Sequence, residues 1–244
     1  MRLRTAGEQG LVVELGSAID PEVNARVHRL AAAILGELRD EVLEVIPSYR
    51  SLLVVFDPLG VTRARLAARV EALAARASPG APANQGRRVS IPVCYGGEFG
   101  PDLAFVAAHS GLTPQQVVEI HSGGSYLVHM LGFTPGFPYL GGLSKSIAAP
   151  RLETPRARVP AGAVGIAGEQ TGIYPVESPG GWRLIGRTPL RLFDPRAPQP
   201  FLLAAGDVLR FLSVSLEQFA ALRLRVEAGT FVPEVAPRTG DAPP

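Results

Sequence analysis

The side chains able to do chemistry in this 244-residue chain are few, and most of them are neutral. His121 and His129 do not have the i, i+4 spacing of a helical metal-binding pair. No carboxylate stands at ligand spacing beside them, so no metal is expected. A free imidazole titrates near neutrality, which makes His121 a weak catalytic candidate, set against a capping or core role at a helix end. Arg187-Thr188 is the strongest polar pair, because a guanidinium fork takes a carboxylate or phosphate through two parallel hydrogen bonds. Arg187 is therefore the second weak catalytic candidate and the first binding candidate, with a surface arginine as the competing reading. Gln170-Thr171 supplies the neutral donors and acceptors that an amide ligand needs. Phe137, Tyr139, Tyr174 and Trp182 are candidates to line a pocket or interface, with the phenol groups at its rim. Trp182, the only tryptophan, follows Ser178-Pro-Gly-Gly181 and has the makings of an interface anchor. For all of these aromatics the competing reading is plain packing.

Several kinds of self-sufficient chemistry are excluded. The only Lys-Ser pair, Lys145-Ser146, is preceded by Ser144, so the phosphate loop G-x-x-x-x-G-K-[ST] is missing. Gly162, Gly165 and Gly168 recur in threes and do not form G-x-G-x-x-G, which argues against a Rossmann site. No G-x-S-x-G elbow occurs. The single cysteine, Cys94, permits no internal disulfide and no cysteine-based zinc cluster, and fits the cytosol. No cofactor is expected to be held by this chain alone.

The elements that must position these side chains differ between the two ends of the chain. Hydrophobic residues make up 46% and charged residues 19%, the composition of an ordinary globular protein. The net charge is only +2, and the arginines are scattered, so no nucleic-acid partner is expected. No apolar run is long enough to span a membrane, and the N-terminal residues lack the apolar core of a signal peptide, so a cytoplasmic location is expected. In the N-terminal part, Leu11–Leu15 reads as a strand. Asp20 then caps a helix with Pro21 in its first turn and Val23, Val27, Leu30, Ile34 and Leu38 on one face. Glu41–Ile46 and Ser51–Phe56 read as strands, Thr62 opens a second helix running past Leu73 to Ala77, and Arg88–Val93 follows the loop 78–86 as a fourth strand. The order β-α-β-β-α-β predicts an α+β, ferredoxin-like N-terminal domain over residues 1–97.

The second part reads differently. Asp102–His109 is a short helix, and Thr113-Pro114-Gln115-Gln116 opens another with a capping box. Between Gly132 and Gly206 lie 12 of the 27 glycines and 11 of the 23 prolines, which forbids long helices and favours short strands and tight turns. Leu216–Ala228 is helical, and the proline-rich tail 231–244 is expected to fray. From Val159 to Gly181 only Glu169 and Glu177 are charged, the mark of a stretch that is buried or faces a ligand or partner.

The long motifs of this region are Leu131-Gly-Phe-Thr-Pro-Gly-Phe-Pro-Tyr-Leu140, Pro150-Arg-Leu-Glu-Thr-Pro155 and Val159-Pro-Ala-Gly-Ala-Val-Gly-Ile-Ala-Gly168. They continue through Gln170-Thr-Gly-Ile-Tyr-Pro175, Ser178-Pro-Gly-Gly-Trp182 and Ile185-Gly-Arg-Thr-Pro189 to Leu192-Phe-Asp194. In wording and order, densely from His121 to Asp194, they resemble the KipI / allophanate hydrolase subunit 1 family. Where relatives often carry Ser in the V-P-A-G-S stretch, this chain has Ala163. The resemblance implies a cyclophilin-like β-barrel over residues 98–230. It also implies the role of the B component (PxpB-like) of an ATP-dependent 5-oxoprolinase. Such a component is inactive alone and works with A and C subunits (PxpA-like and PxpC-like chains) to convert 5-oxoproline into glutamate, the complex as a whole using ATP. The alternatives it implies are inhibition of a sporulation histidine kinase and a place in a urea-degrading, carboxyltransferase-like enzyme. On that resemblance Phe137, Tyr139, Gln170, Thr171, Tyr174, Ser178, Trp182, Arg187 and Thr188 are the substrate- or partner-binding candidates.

Overall fold

The computed structural model describes residues 1–76 and 86–237. The chain divides into two compact units, Met1–Gln85 and Gly86–Pro244. In the first, β1 (Arg2–Ala6) and β2 (Gly10–Glu14) lead into α1 (Pro21–Glu37), β3 (Glu44–Pro47), β4 (Ser51–Val55) and α2 (Arg63–Arg76). The strands form one antiparallel sheet in the order β1-β2-β4-β3. Asp20 caps α1 as its type and position require, accepting from the N–H groups of Glu22 and Val23 at 2.9 Å each. Val27, Leu30 and Ile34 of α1 and Leu66, Val70 and Leu73 of α2 pack with Leu11, Val13, Leu52 and Val54 into one core. Of the residues expected on that face of α2, Ala77 lies outside the described residues, as does most of the loop that follows.

The expected β-α-β-β-α-β order is not what forms. The place beside β2 belongs to β1, a strand absent from the expected order, and the strand at Arg88–Val93 joins the second unit instead. Both differences have a physical cause. In β1 only Leu3, opposite Val13, packs against the core, while Arg2, Arg4 and their neighbours conceal the pattern. The strand at 88–93 has Val89, Ile91 and Val93 all buried in the core of the second unit. The strand expected at Glu41–Ile46 is also shorter and later, because Glu41 and Val42 donate backwards to the Leu38 carbonyl and close a turn.

The second unit runs β5 (Arg87–Tyr95), α3 (Leu103–Ser110), α4 (Pro114–Gly123), β6 (Tyr126–Leu131), β7 (Pro138–Gly141), β8 (Arg156–Val159), β9 (Ala163–Ala167) and β10 (Gln170–Ile173). It continues with β11 (Ser178–Gly180), β12 (Arg183–Arg187), β13 (Val208–Ser213), α5 (Leu216–Glu227) and β14 (Val235–Pro237). Seven strands, β12-β9-β10-β7-β6-β13-β5, pair in sequence, and β5 pairs with β12 to close a barrel. Only β13 and β5 run parallel. The β-barrel that the resemblance implied for residues 98–230, completed by β5 from outside those bounds, is therefore present. So are the Thr113 capping box at α4 and the helix opening at Leu216, which Ser215 and Gln218 cap in the same reciprocal way. Val235–Pro237 corrects the expectation of a frayed tail, since it pairs antiparallel with Val89, Arg88 and Arg87. Residues 238–244 lie outside the described residues.

Alternation along the barrel strands separates two packed regions. Inward, Val164 and Ile166 of β9 join Val128, Leu140, Ile173, Ile185, Leu209 and Phe211. Outward, Ala163 and Ala167 of the same strand join Phe137, Val159, Tyr174, Trp182 and Leu184 in a smaller aromatic cluster. The β8–β11 ribbon supplies Val159 to that cluster. Two buried carboxylates clamp the unit. Asp102 accepts from the Leu184 N–H at 2.7 Å and from Arg156 at 2.9 Å. Asp207 accepts from the Arg87 N–H at 2.9 Å, from its guanidinium at 2.6 Å and from the Ala204 N–H at 2.8 Å.

Candidate functional site

The structure sorts the candidate residues between the barrel interior and its outer face. His121 and Thr171 are inside. His121, on the last turns of α4, is wholly buried, and burial pushes its pKa down to about 3. The hydrogen bonds define its tautomer. The Thr171 hydroxyl donates to the Gly165 carbonyl at 3.0 Å, so its oxygen accepts from His121 Nε2–H at 2.9 Å. Nδ1 is then left to accept from the Tyr95 hydroxyl at 2.8 Å, a phenol that burial holds protonated. Tyr126 donates to the His121 carbonyl at 2.7 Å, and Phe211 stacks on the imidazole. The weak acid–base candidacy of His121 does not fit this environment, and the competing core role does. The ring is neutral, its nitrogens are committed, and it works as a strut joining β5, α4, β10 and, through Gly165, β9. The place of Thr171 in a binding set fails for the same reason.

The other candidates gather on the outer face. Phe137 is the hub of the aromatic cluster, with ring centroids 5.1 Å from Tyr139, 5.3 Å from Tyr174 and 5.4 Å from Trp182, the last two in edge-on contact. Gly172 makes this approach possible, since a Cβ there would lie 3.0 Å from Phe137 and 3.1 Å from Trp182. Phe137, Tyr174 and Trp182 are buried, so packing, the competing reading, describes their rings, and Tyr139 is only partly covered. Burial raises the Tyr174 pKa, opposed by a hydrogen bond from the Trp182 backbone and by Arg151 and Arg156 nearby. Arg151 lies over the Trp182 ring at 5.9 Å. Ser178 stands opposite Val159 across β11 and β8 and so shares its face. Its hydroxyl is buried with no hydrogen-bond partner. Gln170, opposite Ala167, and Arg187, opposite Ala163, face the same way by the same rule.

Arg187 is the polar group of this face best placed to take a ligand. Its Nε donates to the Ala161 carbonyl at 2.9 Å, which ties it to the Pro160-Ala161-Gly162 turn and leaves the two Nη groups for another acceptor. Among the described residues no carboxylate lies within ion-pair distance of it. Burial, and then Arg223, lowers its pKa, and Glu98 opposes them from beyond ion-pair distance. Thr188 does not join it. That side chain is buried, its hydroxyl oxygen accepts from the Leu190 N–H at 3.3 Å, and its own N–H goes to the Gly162 carbonyl at 2.9 Å. Sequence reasoning missed Tyr95, Asp102, Arg151 and Asp207. Apart from the Ala204 N–H on Asp207, the hydrogen-bond partners named for them lie 26 to 120 residues away, and nothing in local spacing signals such pairs.

Comparison with known proteins bears on most of the chain. The family described as "Carboxyltransferase domain, subdomain C and D" matches residues 1–203. The chain is similar to the 5-oxoprolinase B subunit of Bacillus subtilis (strain 168), 44% identical over 232 residues that cover 91% of this chain and 96% of the relative. Among solved structures it is similar to TTHA0988, with a TM-score of 0.76 and 41% identity over 85% of this chain and 40% of that one. The K. lactis urea amidolyase shares the fold, with a TM-score of 0.80 at 22% identity, over 96% of this chain and 16% of that enzyme.

Proposed function

The chain belongs to the family of carboxyltransferase subdomains C and D, and from that premise we propose that it is the B component of an ATP-dependent 5-oxoprolinase, inactive without partner chains. The observation that carries this reading is the 44% identity to a 5-oxoprolinase B subunit over nearly the full length of both proteins. The chemistry explains why several chains are needed. A five-membered lactam is a resonance-stabilised amide and resists water near neutral pH. Phosphorylation of its oxygen turns that oxygen into a leaving group and makes the ring carbon electrophilic, and hydrolysis then opens the ring to glutamate. This sequence carries no phosphate loop, so the reading assigns ATP to the A and C partner chains, and to this chain a share of the substrate surface. On the outer face Arg187 offers its Nη pair to the substrate carboxylate, with the Ser178 hydroxyl as a neutral candidate for the lactam. Glutamate release from 5-oxoproline is the test, with the purified chain mixed with its candidate A and C subunits and each component omitted in turn. The reading requires release only when all three chains and ATP are present. No release from a folded three-chain complex overturns it.

A further inference from the structure

The β6–β7 hairpin carries a strained and exposed aromatic. Among the described residues Phe133 is the only non-glycine residue with a positive φ, at 69°. The Thr134 N–H donates to the Gly132 carbonyl at 2.9 Å, closing a three-residue γ-turn of the rare positive-φ kind around it. An L side chain in this region crowds its own carbonyl, and a bulky ring has no local reason to be there. The turn is nonetheless firmly built. The Gly132 N–H donates to the Phe137 carbonyl at 3.1 Å, and the Phe137 N–H to the Thr134 carbonyl at 3.0 Å. The Phe133 ring stands edge-on to Phe137 with centroids 5.7 Å apart, yet the residue is 65% exposed. Strain at the backbone and apolar surface in water are two costs at one residue, and such costs persist where function uses them.

The surroundings indicate what the ring meets. Gly136, with φ of 81°, lets the turn lie against Phe193 and Phe201, where a Cβ would stand 3.2 and 3.4 Å from their side chains. Phe201 stacks on Phe193 at 5.2 Å and is itself 44% exposed, so two adjoining turns present apolar surface together. Beside them Arg191 and Arg196 share one carboxylate, Asp194, at 3.7 and 3.9 Å, leaving this rim positive. A protruding ring on a stiff turn, with an apolar neighbour and a cationic rim, matches the anchor of a protein interface. We propose that Phe133 is the anchor by which this chain docks a partner chain of the complex, seated in an apolar socket of that polypeptide with carboxylates at its edge. The proposal rests on the reading above of this chain as one component of a complex. It also agrees with TTHA0988, where the matching region is 40% of the chain and is joined to further polypeptide.

The experiment is a titration calorimetry series with the purified chain and its candidate A and C subunits, using wild type, Phe133→Gly and Arg196→Glu, with thermal melts of each. Phe133→Gly releases the backbone strain and removes the ring. Its melting temperature is expected to match or exceed that of the wild type, while affinity for the partner falls about thirtyfold. Arg196→Glu is expected to weaken binding by a smaller factor that shrinks as salt is raised. Full affinity in a folded Phe133→Gly chain overturns the anchor and leaves the reading as a component of the complex standing. So does unchanged affinity with a raised KM for 5-oxoproline in the assembled complex, which would place the ring against substrate instead. A wild-type chain that binds neither candidate partner overturns that reading and the anchor with it.

Discussion

The interior of the barrel and its outer aromatic face are built from the same strands, yet their polar groups are treated in opposite ways. Inside, every polar atom of the His121 strut has a partner, from the Tyr95 hydroxyl through the imidazole and Thr171 to the Gly165 carbonyl. Outside, the Ser178 hydroxyl has none, Arg187 commits only its Nε within the described chain, and Phe133 is held strained and exposed. A satisfied network specifies a fold and has little left to offer a ligand. Groups left short of partners are where binding is sought. The comparison teaches that position across the pleat, more than residue type, separates structural from functional candidates here. Thr171 and Gln170 are neighbours in sequence and lie on opposite sides of the barrel wall.

Changes inside should therefore cost stability, and changes outside should cost function. The largest stability loss is expected at the buried clamp rather than in the strut, from Asp102→Ala, which leaves Arg156 and the Leu184 N–H without their buried acceptor. About 3–5 kcal/mol should be lost in a denaturant titration. Acid is the second lever. The pKa of His121 lies near 3 in the folded chain against 6.5 unfolded, so between those values the unfolded state binds the extra proton and stability falls as pH falls. The contribution is full above about pH 6.5, and roughly 2 kcal/mol of it should be gone by pH 5. Folding free energies measured between pH 5 and 7 check this, and His121→Gln should flatten the slope. Third, Ser178→Ala removes a buried hydroxyl that has no partner. It should raise stability by about 1 kcal/mol while lowering the activity of the assembled complex. A destabilised variant with full activity would move Ser178 to the structural side of the comparison. The smallest effect is expected for Arg158→Ala, whose ion pair with Glu177 is largely exposed. Less than about 0.5 kcal/mol should change in the same titration.

Much of this was legible from local chemistry. Asp20, Thr113 and the helix beginning at Leu216 are caps and patterns written within four residues, and the glycines and prolines after Gly132 announce short strands. What escaped depends on the rest of the chain. Arg2–Ala6 has one inward side chain, so its pairing with Gly10–Glu14 is visible only once the sheet exists. The strand at Arg88–Val93 has a plausible pattern for either unit, and its partners in β13 and β12 lie about a hundred residues onward. In the site, the aromatics and Arg187 were recognisable by type, but burial was not. His121 looks the same in sequence whether it titrates near neutrality or is sealed among Tyr95, Tyr126 and Phe211. The sign of φ at Phe133 is equally invisible, because residue type argues against it.

The most direct test of the outer face as the working surface is the KM for 5-oxoproline in the assembled three-chain complex, for wild type and Arg187→Ala. The account predicts ATP-dependent glutamate release by both, with KM raised roughly tenfold or more in the variant and its melting temperature nearly unchanged. A folded Arg187→Ala complex with the wild-type KM would contradict it.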